Sequence, residues 1–211
     1  MTSDPHGTQA IVSIGTPLAD AAGVLILLHG RGGTAEDILG LGEAIVPEKW
    51  TMLAPQASRN SWYPFSFLAP REQNEPYLTS ALGRVQAAVD TALAAGVAAE
   101  RIAIGGFSQG ACLATEFVGR NPRRYAALLA FTGGLIGPPG APIKLTGDLA
   151  GTPVLLSSGD PDPHVPWARV QQSAELLQEI GGRVTIRRYP GKPHSVTDEE
   201  LRSARDVLTA A

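Results

Sequence analysis

Residues 101–119, RIAIGGFSQGACLATEFVG, contain the most informative pattern in the chain. A short apolar run at 101–105 leads into a glycine-bracketed turn at 106–110, and residues 109–119 have helical spacing. A serine on such a strand-to-helix turn is held in a strained backbone conformation that exposes its hydroxyl group. The small neighbours let strand and helix approach closely, and the helix N-terminus favours developing negative charge. The pattern therefore predicts Ser108 as a nucleophile.

Short β-branched or leucine-rich runs alternate with helical stretches over the rest of the chain. The runs are residues 9–14, 24–28, 50–54, 101–105, 125–131, 153–157 and 183–189. The helical stretches are residues 35–45, 77–95, 109–119, 167–180 and 196–209. This alternation predicts an α/β fold, with a mainly parallel sheet of about seven strands and helices on both faces. The first run reaches the second through a turn rather than a helix, so we expect an antiparallel edge strand there.

The composition narrows the class of protein. A 211-residue chain with 44% hydrophobic residues can bury one sizeable core, so we expect a single domain over residues 1–211. The net charge of −3 offers no basic surplus for nucleic acid. Segment 1–14 lacks the features of a signal peptide, and no apolar run is long enough to span a bilayer. We expect a cytoplasmic monomer or homodimer.

The cysteine content points to a protein without disulfides or a bound metal. Cys112 is the single cysteine, which excludes an intramolecular disulfide framework and a cysteine metal cluster. It falls inside the helix that follows Ser108, where we expect a buried thiol that behaves as a small hydrophobic group. We predict no metal and no cofactor. His6, in a polar N-terminal segment, is expected to be mobile.

Two connections are longer than is usual in a compact domain, at residues 55–76 and 132–152. The first holds four aromatic residues, Trp62, Tyr63, Phe65 and Phe67. Aromatic side chains seek burial, which argues against disorder. We interpret 55–76 as a wall over a substrate pocket; the alternative is an ordinary loop packed on the core. Trp62, Tyr63 and Phe65 are the candidate substrate-binding residues of this wall.

Residues 27–33, LLHGRGG, leave the second strand and lead to a helix capped by Thr34. In chains with this kind of nucleophile turn, the loop after that strand gives one N–H to an oxyanion hole. The residue after the nucleophile gives the other, so the predicted donors are the backbone amides of Arg31 and Gln109. Phosphate binding is excluded by spacing, because neither G-x-G-x-x-G nor a P-loop lysine is present. We expect His29 to hold the loop by hydrogen bonds rather than to act as a base.

An acid and a base follow the last two strands. Residues 157–166, SSGDPDPHVP, place two aspartates, Asp160 and Asp162, at the carboxyl end of a strand, and spacing alone does not choose between them. Residues 189–194, YPGKPH, place His194 at the same edge of the sheet. The order nucleophile, acid, base is the order that accompanies a G-x-S-x-G turn.

These residue types suit ester hydrolysis. A neutral imidazole can take the proton of Ser108 and later return one to the leaving group, while a carboxylate orients the ring. The product of the first step is an acyl-enzyme, which water then cleaves. His164 lies too close to Asp162 in one tight loop to be bridged by it and still reach the serine. We expect it at the pocket rim, as a fourth candidate substrate-binding residue, or in solvent.

The chain resembles the small carboxylesterase/phospholipase family of α/β-hydrolases, which includes acyl-protein thioesterases and bacterial lysophospholipase-like esterases. The resemblance covers nearly the whole chain, through LHG at 28–30, GGFSQG at 105–110, GDPDPHVP at 159–166 and PHS at 193–195. It implies that the acid is the second aspartate of 159–166, Asp162. It also implies oxyanion donors at Arg31 and Gln109.

Two departures direct the choice of substrate. Where this chain has HGRGG at 29–33, acyl-protein thioesterases have a sequence similar to HGLGD. The segments SWYP at 61–64 and NEP at 74–76 resemble a bacterial dienelactone-hydrolase-like branch of the family. Dienelactone hydrolases use a cysteine nucleophile, and this chain has serine. The resemblance implies a serine carboxylesterase for small, short- to medium-chain esters. The alternatives are a thioesterase or lysophospholipase and, from a different class, a non-catalytic binding module on the same fold.

Overall fold

The computed structural model describes residues 4–210 and contains a seven-stranded sheet in the order β1-β3-β2-β4-β5-β6-β7. The strands are β1 (Ile11–Gly15), β2 (Gly23–Leu28), β3 (Trp50–Pro55), β4 (Ile102–Phe107), β5 (Ala127–Phe131), β6 (Pro153–Asp160) and β7 (Arg183–Pro190). The helices are α1 (Ala35–Glu43), α2 (Tyr77–Ala94), α3 (Gln109–Arg120), α4 (Trp167–Glu179) and α5 (Asp198–Thr209). Residues 1–3, with which the predicted tail begins, and Ala211 lie outside the described residues.

The predicted antiparallel edge strand is confirmed, and its neighbour is β3. β1 pairs with β3 through Ile11 opposite Pro55 and Gly15 opposite Thr51, whereas the other neighbours in the sheet run parallel. The largest error in a strand boundary is at β6, which continues to Asp160 because its end pairs with β7 up to Pro190. Asp160 is therefore the last residue of β6, and the loop that carries Asp162 begins after it.

The helices cover the sheet on both faces, as predicted. Alternate strand residues such as Ile26 join a core with α2, α3 and α4, while their neighbours such as Leu27 join a second core with α1 and α5. This division follows from the two-residue period of a strand, which sends successive side chains to opposite faces. All six residues of β2 and all five of β5 are buried, as expected for central parallel strands.

The topology brings four loops to one rim of the sheet. The parallel strands β2, β4, β6 and β7 all end there, and each is followed by one of the motifs singled out in the sequence. Within residues 4–210, no helix combines the length and the hydropathy needed to cross a bilayer.

Candidate active site

Ser108 sits on a strained turn between β4 and α3. Its φ and ψ are 54° and −117°, a left-handed conformation that is rare for a residue with a side chain. Both glycines of the motif are required by close approach: a Cβ on Gly106 would lie 2.6 Å from the carbonyl oxygen of Leu28. A Cβ on Gly110 would overlap that same oxygen. The turn therefore holds the hydroxyl at the rim, above the N-terminus of α3.

Ser108, His194 and Asp162 form a continuous chain of hydrogen bonds. The Oγ of Ser108 is 2.8 Å from Nε2 of His194, and Nδ1 of His194 is 2.8 Å from Oδ2 of Asp162. The carboxylate fixes the tautomer with a proton on Nδ1, which leaves Nε2 free to accept the serine proton. Asp160 instead forms an ion pair with Arg188 on β7. The structure thus brings Asp162, rather than Asp160, to the histidine.

Asp162 is held as a carboxylate. Its side chain is fully buried, and burial alone would raise its pKa. The hydrogen bond with His194 and two bonds of 2.9 Å from the backbone N–H groups of His164 and Val165 outweigh that effect, so the pKa lies below its ordinary value. His164 therefore contributes its amide to the acid, and its ring contacts that of His194 edge-on at 4.8 Å, at the exposed rim.

One predicted oxyanion donor follows β2 and the other begins α3. The amides of Arg31, after β2, and Gln109, the first residue of α3, have no acceptor among residues 4–210. Beside them, Thr34 caps α1 in a reciprocal arrangement with Asp37, as the sequence predicts. His29 accepts the N–H of Ala57 at Nε2 (3.1 Å) and contacts the Gly30 carbonyl at Nδ1 (2.8 Å). Burial lowers the pKa of His29 below its ordinary value, in keeping with the acceptor role of its Nε2.

A cavity of about 850 Å³ opens over Ser108, a volume typical of small-molecule sites. Its lining includes Tyr63, Phe65 and Phe67 from the 55–76 connection, and His164 and Val165 from the loop after β6. Tyr63 and Phe67 are nearly buried, whereas Phe65 is 54% exposed. The lining of the cavity is mostly apolar.

Trp62 corrects the sequence prediction, because it does not line this cavity. Its side chain is 0% exposed and packs on the ring of His29, with ring centroids 4.9 Å apart. Its indole N–H donates to the backbone carbonyl of His29 at 2.8 Å. A buried indole needs an acceptor for its N–H, and here the acceptor is in the loop after β2. Trp62 therefore anchors the 55–76 connection to the loop after β2 rather than contacting the cavity.

His6 also contradicts its prediction, since it is not in a mobile tail. The residue is 0% exposed; its Nδ1 accepts the N–H of Ser58 at 2.9 Å, and its Nε2 is 2.9 Å from the carbonyl oxygen of Trp62. Its own amide donates to Ser80 on α2. Burial lowers the pKa of this histidine. The N-terminal segment is thus built into the underside of the aromatic connection.

Cys112 lies beneath the cavity as a buried thiol, 1% exposed. Burial raises its pKa to about 12, so it remains protonated at neutral pH and is a poor nucleophile. Its neighbour Tyr63 has a hydroxyl group without a hydrogen-bond partner among the described residues, and burial raises that pKa well above its ordinary value. Both act as neutral parts of the pocket floor.

The side chains of the two predicted oxyanion residues have a role that the sequence reasoning missed. Gln109 accepts the N–H of Trp62 at 2.9 Å and donates to the carbonyl of Tyr63 at 2.8 Å. Arg31 donates to Ser61 and to the carbonyls of Pro64 and Phe65, at 2.9 to 3.1 Å. Their partners lie 30 or more residues away, so no local pattern indicates them.

Comparison with known proteins gives one consistent result. The family model described as phospholipase/carboxylesterase matches residues 9–211. The crystal structure of a phospholipase/carboxylesterase from Dyadobacter fermentans is 44% identical, with a TM-score of 0.92, and the match covers 96% of this chain and 97% of that one.

Curated relatives match over shorter stretches. A probable carboxylesterase, SOBER1-like, from Arabidopsis thaliana is 31% identical over 67% of this chain and 55% of its own length. Acyl-protein thioesterase 1 from Schizosaccharomyces pombe is 30% identical over 67% of this chain and 64% of its own length. The chain therefore spans between about half and two thirds of the length of these curated relatives.

Proposed function

The chain belongs to the phospholipase/carboxylesterase family, and we propose that it is a serine hydrolase that cleaves small carboxylic esters through an acyl-enzyme. The observation that carries the proposal is the chain of two 2.8 Å contacts from Asp162 through His194 to Ser108. A serine hydroxyl needs an adjacent base to attack a carbonyl carbon near pH 7, and this arrangement supplies one.

The proposed reaction has two steps. As the Oγ of Ser108 attacks the ester carbonyl, its proton moves to Nε2 of His194, and Asp162 stabilises the imidazolium. In this proposal the amides of Arg31 and Gln109 donate to the developing oxyanion, and losing one such donor typically costs about 100- to 1000-fold in turnover. His194 then protonates the leaving alcohol. Water attacks the acyl-enzyme by the same sequence in reverse, which frees the serine and the carboxylic acid.

The cavity supports short- to medium-chain acyl groups. Each methylene moved from water into an apolar pocket contributes about 0.8 kcal/mol, so the lining by Tyr63, Phe67 and Val165 favours acyl chains longer than acetate. A thioester substrate is a second candidate, because relatives of similar identity include acyl-protein thioesterases. The sequence-based expectations of a cytoplasmic location and a monomer or homodimer stay predictions.

A hydrolysis panel tests the proposal. Purified protein is assayed on p-nitrophenyl acetate, butyrate and hexanoate, on an acyl-CoA and on a lysophospholipid, with a fluorophosphonate probe to label Ser108. We expect labelling and the highest kcat/KM on butyrate or hexanoate. A preference for acyl-CoA would favour the thioesterase, and a folded protein that is neither labelled nor active would favour the binding module.

A further inference from the structure

A buried ion pair lies beside the segment that carries His194. Lys192, in the loop after β7, is 4% exposed at its side chain, and Glu200, in the first turn of α5, is 0% exposed. The ammonium nitrogen is 2.8 Å from both carboxylate oxygens of Glu200. Desolvating two charges costs several kcal/mol each, so such a pair calls for an explanation beyond stability.

The lysine closes a loop around the histidine. Its third donor bonds the backbone carbonyl of Ser195 at 2.7 Å, so all three ammonium hydrogens have acceptors. Lys192 precedes His194 by two residues and Ser195 follows it directly, so this bond spans the histidine. The close approach extends to the sheet, because a Cβ on Gly159 of β6 would lie 2.6 Å from the carbonyl oxygen of Lys192.

Glu200 anchors this loop to the rest of the fold. Its Oε1 accepts the hydroxyl of Ser157 on β6 at 2.7 Å, and its Oε2 accepts the N–H and the hydroxyl of Thr197 at 2.9 and 3.0 Å. The carboxylate therefore joins β6, the start of α5 and the His194 segment at one point. The capping pattern Thr197-x-x-Glu200 is visible in the sequence, but its second function is not.

We propose that the Lys192–Glu200 pair holds His194 in position and that the opposite charges of the pair offset each other at its ring. The ester hydrolysis proposed above depends on both effects. Lys192 and Glu200 are positioning residues that act through the Ser195 carbonyl and the 191–197 backbone. The titratable groups in direct contact with the His194 ring, within the described residues, are Asp162 and His164. The exposed Arg188–Asp160 pair crosses the ends of β6 and β7 nearby.

Neutralising Lys192 and neutralising Glu200 should shift the pH dependence of activity in opposite directions. Glu200→Gln leaves an unpaired ammonium near the ring, which disfavours the imidazolium. The acid limb of the pH profile of kcat/KM therefore moves to lower pH. Lys192→Met leaves an unpaired carboxylate and moves that limb to higher pH. A unit charge about 10 Å from an imidazole shifts its titration by about one pH unit at an effective dielectric constant of about 20, so we expect shifts of up to about that size. A merely structural role would lower activity without such a reversal of sign.

The experiment uses both single variants, the double variant Lys192→Met/Glu200→Gln and the exposed-pair control Arg188→Met. We expect opposite limb shifts in the singles, an unshifted limb with about tenfold lower kcat and unchanged KM in the double, and no shift in the control. Shifts in one direction, or none in folded single variants, overturn the proposal. If the single variants do not fold, the double variant provides the test. A double variant that is unfolded, or that has the kcat of the wild type, overturns the proposal.

An NMR titration of the His194 ring separates this inference from the proposed function. It reads the same shifts without a substrate, so opposite movements of the titration midpoint in the two single variants support the ion pair even in a protein without esterase activity. A failure of the ester panel would then contradict the reaction alone, while equal midpoints would contradict the ion-pair proposal alone.

Discussion

The nucleophile turn at 106–110 and the aromatic connection at 55–76 face each other across the cavity, but they are stabilised in different ways. The turn is held by its own neighbours: a strand, a helix and two glycines that admit the Leu28 carbonyl. The connection contains only two short 3₁₀ turns and is held by side chains from distant parts of the chain. Those side chains belong to His6, His29, Arg31, Gln109 and Glu116.

This difference separates chemistry from selectivity. A turn fixed by backbone geometry presents Ser108 in one conformation whatever the substrate. A wall held by a few hydrogen bonds can be altered by single substitutions without touching the reacting atoms. We therefore expect changes at the turn to abolish turnover, and changes at the connection to alter substrate preference or stability.

Ser108→Ala should have the largest effect. The substitution removes one hydroxyl group from the rim and leaves Gly106 and Gly110 in place, so the fold and its melting temperature should be preserved. Turnover should fall by about 10⁴- to 10⁶-fold, because the residual rate comes only from binding and the oxyanion hole. The measurement is kcat on p-nitrophenyl butyrate alongside circular dichroism. Activity near that of the wild type would sink the nucleophile assignment.

Asp162→Asn should reduce turnover by about 10⁴-fold, because an amide next to Nδ1 favours the wrong tautomer of His194. The matched control is Asp160→Asn, which removes only the partner of the exposed Arg188 and should cost less than about threefold. Both variants are compared by kcat at pH 8. Equal losses would mean that the loop after β6, rather than the carboxylate at His194, is what matters.

Gln109→Glu tests the link between the two regions. The carboxylate can still accept the Trp62 amide, but it cannot donate to the Tyr63 carbonyl and would repel it. A buried acceptor left unpaired costs about 1–3 kcal/mol, so we expect a melting temperature several degrees lower and kcat/KM reduced by about 10- to 100-fold. The exposed Gln171→Glu on α4 is the control. A Gln109→Glu variant as stable as that control would contradict the link.

Trp62 and Phe65 should behave in opposite ways, although they are only three positions apart. Trp62→Ala removes a fully buried ring and should cost about 3–5 kcal/mol of unfolding free energy, measured in urea. Phe65→Ala changes a side chain that is 54% exposed at the cavity, so stability should hold while the hexanoate-to-acetate ratio of kcat/KM falls about threefold to tenfold. An unchanged ratio in Phe65→Ala would remove this residue from the pocket.

The sequence predicts the first region far better than the second. The residue types and local spacing that mark the 106–110 turn are visible in the sequence, so Ser108, His194 and the two aspartates could be placed on one rim. The Leu28 carbonyl that its two glycines admit is distant in sequence and could not be read from this spacing. Choosing Asp162 needed either the family resemblance or the folded structure, because in the sequence both aspartates follow the same apolar run.

The aromatic connection shows why the remainder could not be predicted. Strand-like alternation indicates that some of its aromatics point inward, but the acceptor for the Trp62 indole, the His29 carbonyl, is 33 residues away. The partners of His6 are 52 and 56 residues away. Polar composition near a terminus indicates exposure on average, and only the folded structure reveals a histidine with both nitrogens bonded.

His6 gives the smallest expected effect and the most specific one. Burial lowers its pKa below the ordinary value of 6.5. Protonation of Nδ1 would also direct a second hydrogen at the N–H of Ser58, which now donates to that nitrogen. Between those two pKa values the unfolded chain binds a proton that the folded chain does not. Stability is therefore highest above about pH 6.5 and falls as the pH drops toward the folded value. The lowered pKa of Asp162 acts only in a more acidic range, below its ordinary value of 3.8.

His6→Gln should reduce this pH dependence, because an amide can accept from Ser58 and donate to Trp62 without titrating. We expect the urea midpoint of the wild type to fall between pH 7.5 and pH 5.5 and that of His6→Gln to fall less. Some slope should remain from His29, whose pKa is also lowered by burial. Parallel curves for the two proteins would mean that His6 is as solvated in solution as its position near the N-terminus suggests, and that the aromatic connection stands without it.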